Sequence, residues 1–108
     1  MTQIELMELR PECVAEYRRM HAEPPPGLVQ AHRDSGFQQI LIFIRGTLVI
    51  VVFSCDDFAV AKQRLAEQEV FKKWTAKVRS MLVEDPVFFG SPGLVHGLTP
   101  DWTMDDYP

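Results

Sequence analysis

Residues 37–54 read Phe-Gln-Gln-Ile-Leu-Ile-Phe-Ile-Arg-Gly-Thr-Leu-Val-Ile-Val-Val-Phe-Ser. Two runs rich in Val, Ile and Phe, Phe37 to Ile44 and Thr47 to Ser54, meet at Arg45-Gly46, which is a β-hairpin signal. Within the first run, Ile40, Leu41, Ile42, Phe43 and Ile44 are consecutive apolar residues. Side chains alternate across a strand, so both faces of this hairpin are apolar and both need cover. The chain's own helices supply one cover. The other falls to a second subunit, and a homodimer is the expected assembly.

Outward from the hairpin the chain divides into short elements. Upstream, Gln3 to Leu9 suits a first strand, ended by Arg10-Pro11 because proline disfavours helical geometry in the residue before it. Pro11 fits the first turn of a helix. Val14, Tyr17, Met20 and His21 recur at helical spacing, predicting a helix to about Glu23 that Pro24-Pro25-Pro26 stops. Gly27 to Ser35 reads as a shorter helix closing at Gly36. Downstream, Asp56-Asp57 offers an N-cap to a helix over Phe58 to Ala66. Gln68 to Val83 follows as a helix with Val70, Phe71, Trp74, Val78, Met81 and Leu82 on one stripe. The last apolar segment is broken by Gly90, Pro92 and Gly93, so Leu94 to Leu98 is the expected final strand. The order β, α, α, β, β, α, α, β predicts an α+β domain over residues 1–98. It is ferredoxin-like (βαββαβ), with a four-stranded antiparallel sheet carrying helices on one face. Residues 99–108 are an acidic tail, expected to be flexible or to pack on the partner subunit.

Composition narrows the function classes. With 108 residues there is room for one domain and one modest core, which association would enlarge. Eleven Lys and Arg, spread along a chain of net charge −4, form no basic stripe, so nucleic acid is not an expected partner. No apolar run is long enough to span a membrane, and no leader is read at the N-terminus. Cys13 and Cys55 have neither CxxC nor metal spacing and read as core fillers in a reducing compartment, the cytoplasm.

Several pieces together resemble the L-rhamnose mutarotase family. They are Glu16-Tyr17-Arg18-Arg19-Met20-His21, Asp34-Ser35-Gly36-Phe37, Gly46-Thr47-Leu48-Val49, Asp56-Asp57-Phe58 and Val70-Phe71-Lys72-Lys73-Trp74. They span residues 4–83 in the family's order and at nearly its spacing. The resemblance implies a dimeric α/β barrel and an isomerase, active without cofactor or metal, that interconverts the anomers of L-rhamnose or a similar sugar. It maps the catalytic histidine onto His21 and a nearby tyrosine onto Tyr17, and makes Trp74 an aromatic wall against the sugar. Where the family carries a tyrosine on the second strand this chain has Ile40. Where it carries an aromatic and an acid after the histidine this chain has Pro25 and Gly27. His96 stands in the region of the last strand. Ile40 and His96 complete the expected substrate-binding set, in a pocket more apolar than a monosaccharide requires.

The residue types suit the chemistry. Opening a pyranose requires a proton taken from the anomeric hydroxyl and one given to the ring oxygen, and a histidine near neutral pKa can serve either step. Tyr17 and His21, four apart, share one helix face. His32, beside Arg33 and Asp34, reads as solvated surface. Asp56-Asp57 reads as a cap, and Cys55 as buried and inert. Two alternatives stand beside the mutarotase reading. One is a cofactor-free enzyme on the same barrel acting on an aromatic or polyketide-like compound. The other is a non-catalytic binding protein that keeps the scaffold.

Overall fold

In the computed structural model, residues 2–90 are described in full, residues 94–96 by their backbone, and residues 104 and 107 singly. The hairpin forms as read, from strands β2 (Phe37–Arg45) and β3 (Leu48–Cys55), paired antiparallel with Arg45 opposite Leu48. Gly46, the first loop residue, has φ 60°, a left-handed backbone that costs glycine nothing. Strand β1 (Thr2–Glu8) joins the other edge of β3, with Glu5 opposite Val51 and Met7 opposite Val49. Strand β4 (Val87–Gly90) then pairs with β1, placing Phe88 opposite Glu5. The resulting order β2-β3-β1-β4, all antiparallel, is the expected four-stranded ferredoxin-like sheet.

The outer edge differs from the expectation. The strand beside β1 is Val87–Gly90, and Leu94–His96 is a short fifth strand, β5, added beyond it. Gly90 argues against a strand when read as a breaker, but here it has a packing reason. A Cβ at Gly90 would overlap the carboxamide of Gln3, which lies buried opposite it. Residues 97–98 of the expected last strand and most of the 99–108 tail lie outside the described residues.

Four helices cover one face. After a 3-10 turn at Pro11–Cys13 come α1 (Val14–Ala22) and α2 (Leu28–Ser35), and after the hairpin α3 (Phe58–Ala66) and α4 (Glu69–Ser80). Asp57 caps α3 as expected, its side-chain Oδ1 accepting the Val60 N–H at 3.1 Å. Gly36 ends α2 at φ 111°. Under these helices Leu9, Val49 and Cys55 have no exposed surface, with Tyr17, Met20, Ala31, Ala61, Leu65 and Val78 closing over them. Cys55 is thus the buried filler its surroundings predict.

Alternation and register sort the sheet into two faces. Glu5, Met7, Val49, Val51, Phe53, Ile40 and Ile42 point to the helices. A bulge between Phe37 and Gln39 turns Phe37 to that side as well, although it is an odd number of residues from Ile40. On the opposite face the register aligns two apolar rows, Leu41-Val52-Ile4-Phe89 and Phe43-Ile50-Leu6-Val87. Among the described residues no helix covers them, and Leu41 and Phe43 are 46% and 56% exposed.

Candidate functional site

Between the helices and the inner face of the sheet lies a cavity of about 500 Å³. Helix α1 supplies its first polar groups. Tyr17 and His21 are one turn apart, with ring centroids 4.3 Å from each other. The Trp74 ring of α4 meets His21 edge-on at 4.9 Å and 76°. A surface ion pair ties these helices together: Lys77 Nζ of α4 lies 2.9 Å from Glu16 Oε1 of α1, and Arg19 hydrogen-bonds the same carboxylate. Hydrogen bonds from Arg19 and Lys77 hold Glu16 down at about pKa 2. Such an exposed pair adds little stability.

The protonation of His21 follows from its partner. The Tyr17 carbonyl, 2.8 Å from Nδ1, can only accept, so Nδ1–H donates to it. In the neutral ring Nε2 therefore carries the free lone pair. Burial pushes the imidazole pKa below its usual value, against the opposing hydrogen bond, so this ring is neutral at pH 7. Tyr17 is nearly fully buried, and burial together with the charge of Glu5 pushes its phenol pKa well up. It stays protonated, so its hydroxyl both donates and accepts hydrogen bonds.

Of the five residues expected at the site, Tyr17, His21, Trp74 and Ile40 all line this one cavity. Trp74 packs directly on His21 and so orients the ring as well as walling the pocket. Ile40 gives an apolar patch of floor. His96 sits opposite Phe88 in the β4–β5 register, and its side chain lies outside the described residues.

Two lining residues escape the sequence reading. His32 is not solvated surface: it faces the cavity between Phe37 at 5.8 Å and Phe71 at 5.6 Å, and its Nδ1–H donates to the Leu28 carbonyl at 2.8 Å. Burial lowers its pKa too. The overlooked signal is the spacing Leu28, Ala31, His32, Ser35, the inward stripe of α2. Glu5 comes from the central strand β1. Its carboxyl is pushed up to about 7 by burial, with the charges of Lys62 and Arg79 pulling the other way. The alternation Gln3, Glu5, Met7 contains that signal, but Ile4 and Leu6 on the other face mask which side is inward.

Much of the remaining lining is aromatic and aliphatic, with Arg33, Gln38, Gln39, Lys62, Thr75 and Arg79 as its further polar groups. Phe37, Phe53, Phe58 and Phe88 form a connected chain of rings, with Lys62 Nζ 3.9 Å above Phe88. Among the described residues no three His, Cys, Asp or Glu side chains are grouped to hold a metal ion, and no helix is long and apolar enough to cross a membrane. The arrangement is suited to moving protons on a small ligand with both polar and apolar parts.

Solved structures share this fold. An L-rhamnose mutarotase from Formosa agariphila superposes with a TM-score of 0.63 at 18% identity, over 96% of this chain and 98% of its own. An antibiotic biosynthesis monooxygenase gives 0.63 at 14%, over 93% and 100%. Rv0793 from Mycobacterium tuberculosis gives 0.63 at 11%, over 94% and 97%. At these identities the likeness is one of fold. No curated protein sequence matches this one. A family model described as L-rhamnose mutarotase matches residues 3–92, which include every element from β1 to β4 and both Tyr17 and His21. The chain belongs to the L-rhamnose mutarotase family.

Proposed function

We propose that the protein is a sugar mutarotase, interconverting the anomers of L-rhamnose or a similar sugar. The observation that carries this reading is the convergence of His21, Tyr17 and Trp74 on one cavity in a chain of that family. The His21 Nε2 lone pair takes the proton of the anomeric hydroxyl. The ring C–O bond then breaks, its electron pair passing to the ring oxygen, which is protonated, while C1 becomes a carbonyl. Rotation about C1–C2 and the same transfers in reverse close the ring as the other anomer. Nothing is oxidised or reduced, so the reaction needs no cofactor. The Tyr17 hydroxyl orients the sugar, and Trp74 holds the imidazole and walls the site. Ile40 and the phenylalanines suit a sugar with an apolar edge, such as the methyl group of a 6-deoxy sugar. His96 is proposed as a further substrate contact.

The phenylalanine lining favours a second reading: proton transfer on an aromatic or polyketide-like compound. The two separate by ligand-induced shifts in melting temperature. Stabilisation by L-rhamnose or L-fucose supports the first, and stabilisation by flat aromatic compounds alone supports the second. The catalytic test is NMR saturation transfer between sugar anomers, for which enzyme-dependent exchange is expected.

The same reading includes a homodimer joined through the uncovered sheet face. Leu41, Phe43, Val52, Ile50, Ile4 and Leu6 make an apolar patch that a second copy can bury. Such a patch is self-complementary about a two-fold axis. In this assembly the sheet of each protomer, with its helices, forms one half of the barrel. The free thiols of Cys13 and Cys55 fit a cytoplasmic protein.

A further inference from the structure

Mutarotation needs one group that accepts a proton and one that donates. Both cavity histidines are built as acceptors: each has Nδ1–H committed to the carbonyl four residues back, leaving Nε2 bare. Burial and the charge of Glu5 push the Tyr17 phenol pKa well up, which makes it a weaker general acid than a carboxyl titrating near neutrality. Glu5 is the only carboxyl among the described residues lining the cavity. Its strand is the centre of the sheet, so its position is among the most rigid available. We infer that Glu5 is the donor of this site, handing its carboxyl proton to the ring oxygen while His21 takes the anomeric proton. The inference rests on the mutarotase reading and adds its missing half.

The surroundings of Glu5 bear this out. Tyr17 and His21 reach the cavity from α1, His32 and Arg33 from α2, Lys62 from α3 and Arg79 from α4. The β3 and β4 neighbours of Glu5 in the sheet, Val51 and Phe88, are uncharged. Lys62 and Arg79 act on its charge, but burial outweighs them, so near neutral pH the carboxyl is protonated in a large fraction of molecules. An acid of pKa near the working pH transfers protons in both directions, as ring opening and closure require. In closure the ring-oxygen proton returns to the Glu5 carboxylate and the carbonyl oxygen regains its proton from His21. Each cycle leaves both groups as they began.

The test is the pH dependence of anomer exchange for the wild type, Glu5→Gln, Lys62→Met and His21→Ala. The wild type is expected to show a bell, rising with His21 deprotonation below pH 6.5 and falling near pH 7 as Glu5 ionises. Glu5→Gln should lower exchange at pH 6 by about 100-fold or more and abolish the alkaline limb. Lys62→Met removes a cation that favours the carboxylate, so the alkaline limb should move to higher pH. This variant also carries the test if Glu5→Gln fails to fold. A purely structural Glu5 would change rates without moving the limb. Full exchange and an unmoved limb in Glu5→Gln, or an unmoved limb in Lys62→Met, with His21→Ala inactive, overturns the assignment of Glu5 and leaves the mutarotase reading standing. Absence of exchange in the wild type for every sugar tried overturns both.

Discussion

Replacing Glu5 by glutamine should change how stability depends on pH, whether or not the protein turns over a sugar. Glutamine has the shape of the protonated side chain and never ionises. In the folded protein the Glu5 carboxyl is raised from 4.5 to about 7, so between these values the folded state holds a proton that the unfolded chain releases. Unfolding free energy therefore falls with rising pH across this window, and the loss is complete above about pH 7. At 1.36 kcal/mol per unit the shift corresponds to about 3 kcal/mol, a sizeable part of the 5–15 kcal/mol typical of a domain. His21 and His32 work in the opposite sense, since their lowered pKa values contribute stability above pH 6.5 that is lost as pH falls. Both histidines are unchanged in the variant, so the difference between the two proteins isolates Glu5. Urea unfolding at fixed protomer concentration, in steps from pH 4.5 to 8.5, should give Glu5→Gln near parity at the acid end and an advantage of about 3 kcal/mol at the alkaline end. A difference that stays flat across that range would refute the claim that burial holds this carboxyl near neutrality.

Other outcomes follow from single contacts. Phe43→Glu puts a charge on the uncovered sheet face, at the edge strand β2, and should weaken the proposed dimer by about 100-fold or more, read by sedimentation equilibrium, without unfolding the protomer. Asp57→Ala removes the cap of α3 and should cost about 1 kcal/mol in urea unfolding. Gly90→Ala drives a methyl into the Gln3 carboxamide and should cost about 1–3 kcal/mol. Most of that cost should vanish in a Gln3→Ala background, and a double-mutant cycle measures the coupling.

The sheet was legible wherever side-chain chemistry repeats along the chain. The hairpin, α3 from Phe58 to Ala66 and the Asp57 cap are local signals, and each is found within a residue or so of its expected place. The edge was harder. Val87–Gly90 joins β1 because a distant residue, Gln3, fills the space above Gly90, and nothing near Gly90 in sequence announces that. The site divides the same way. Tyr17 and His21 share a turn of one helix, and the motif that contains them is continuous. His32 stands on the inward stripe of α2 and Glu5 on the inner face of β1, and the packing of helices on sheet turns both to the cavity. A polar neighbourhood hides His32, since Arg33 and Asp34 flank it in sequence while Phe37 and Phe71 flank it in space. Glu5 is hidden because its face of β1, Gln3-Glu5-Met7, is more polar than the Ile4-Leu6 face opposite, so alternation points away from the side the helices cover. Ile40 was readable both as a departure from the family pattern and as a cavity residue, and Phe37, Phe53, Phe58 and Phe88 add to the apolar lining.

The central claim, that His21 moves the anomeric proton of a sugar in this cavity, is met most directly by saturation transfer between the α and β anomeric resonances of L-rhamnose at pH 6.5. Wild-type protein should accelerate exchange over buffer in proportion to its concentration, and His21→Ala should lower that acceleration by about 100- to 10,000-fold with the fold intact by circular dichroism. Exchange at the buffer rate with wild-type protein, for L-rhamnose and related sugars alike, or equal acceleration by His21→Ala, would contradict it.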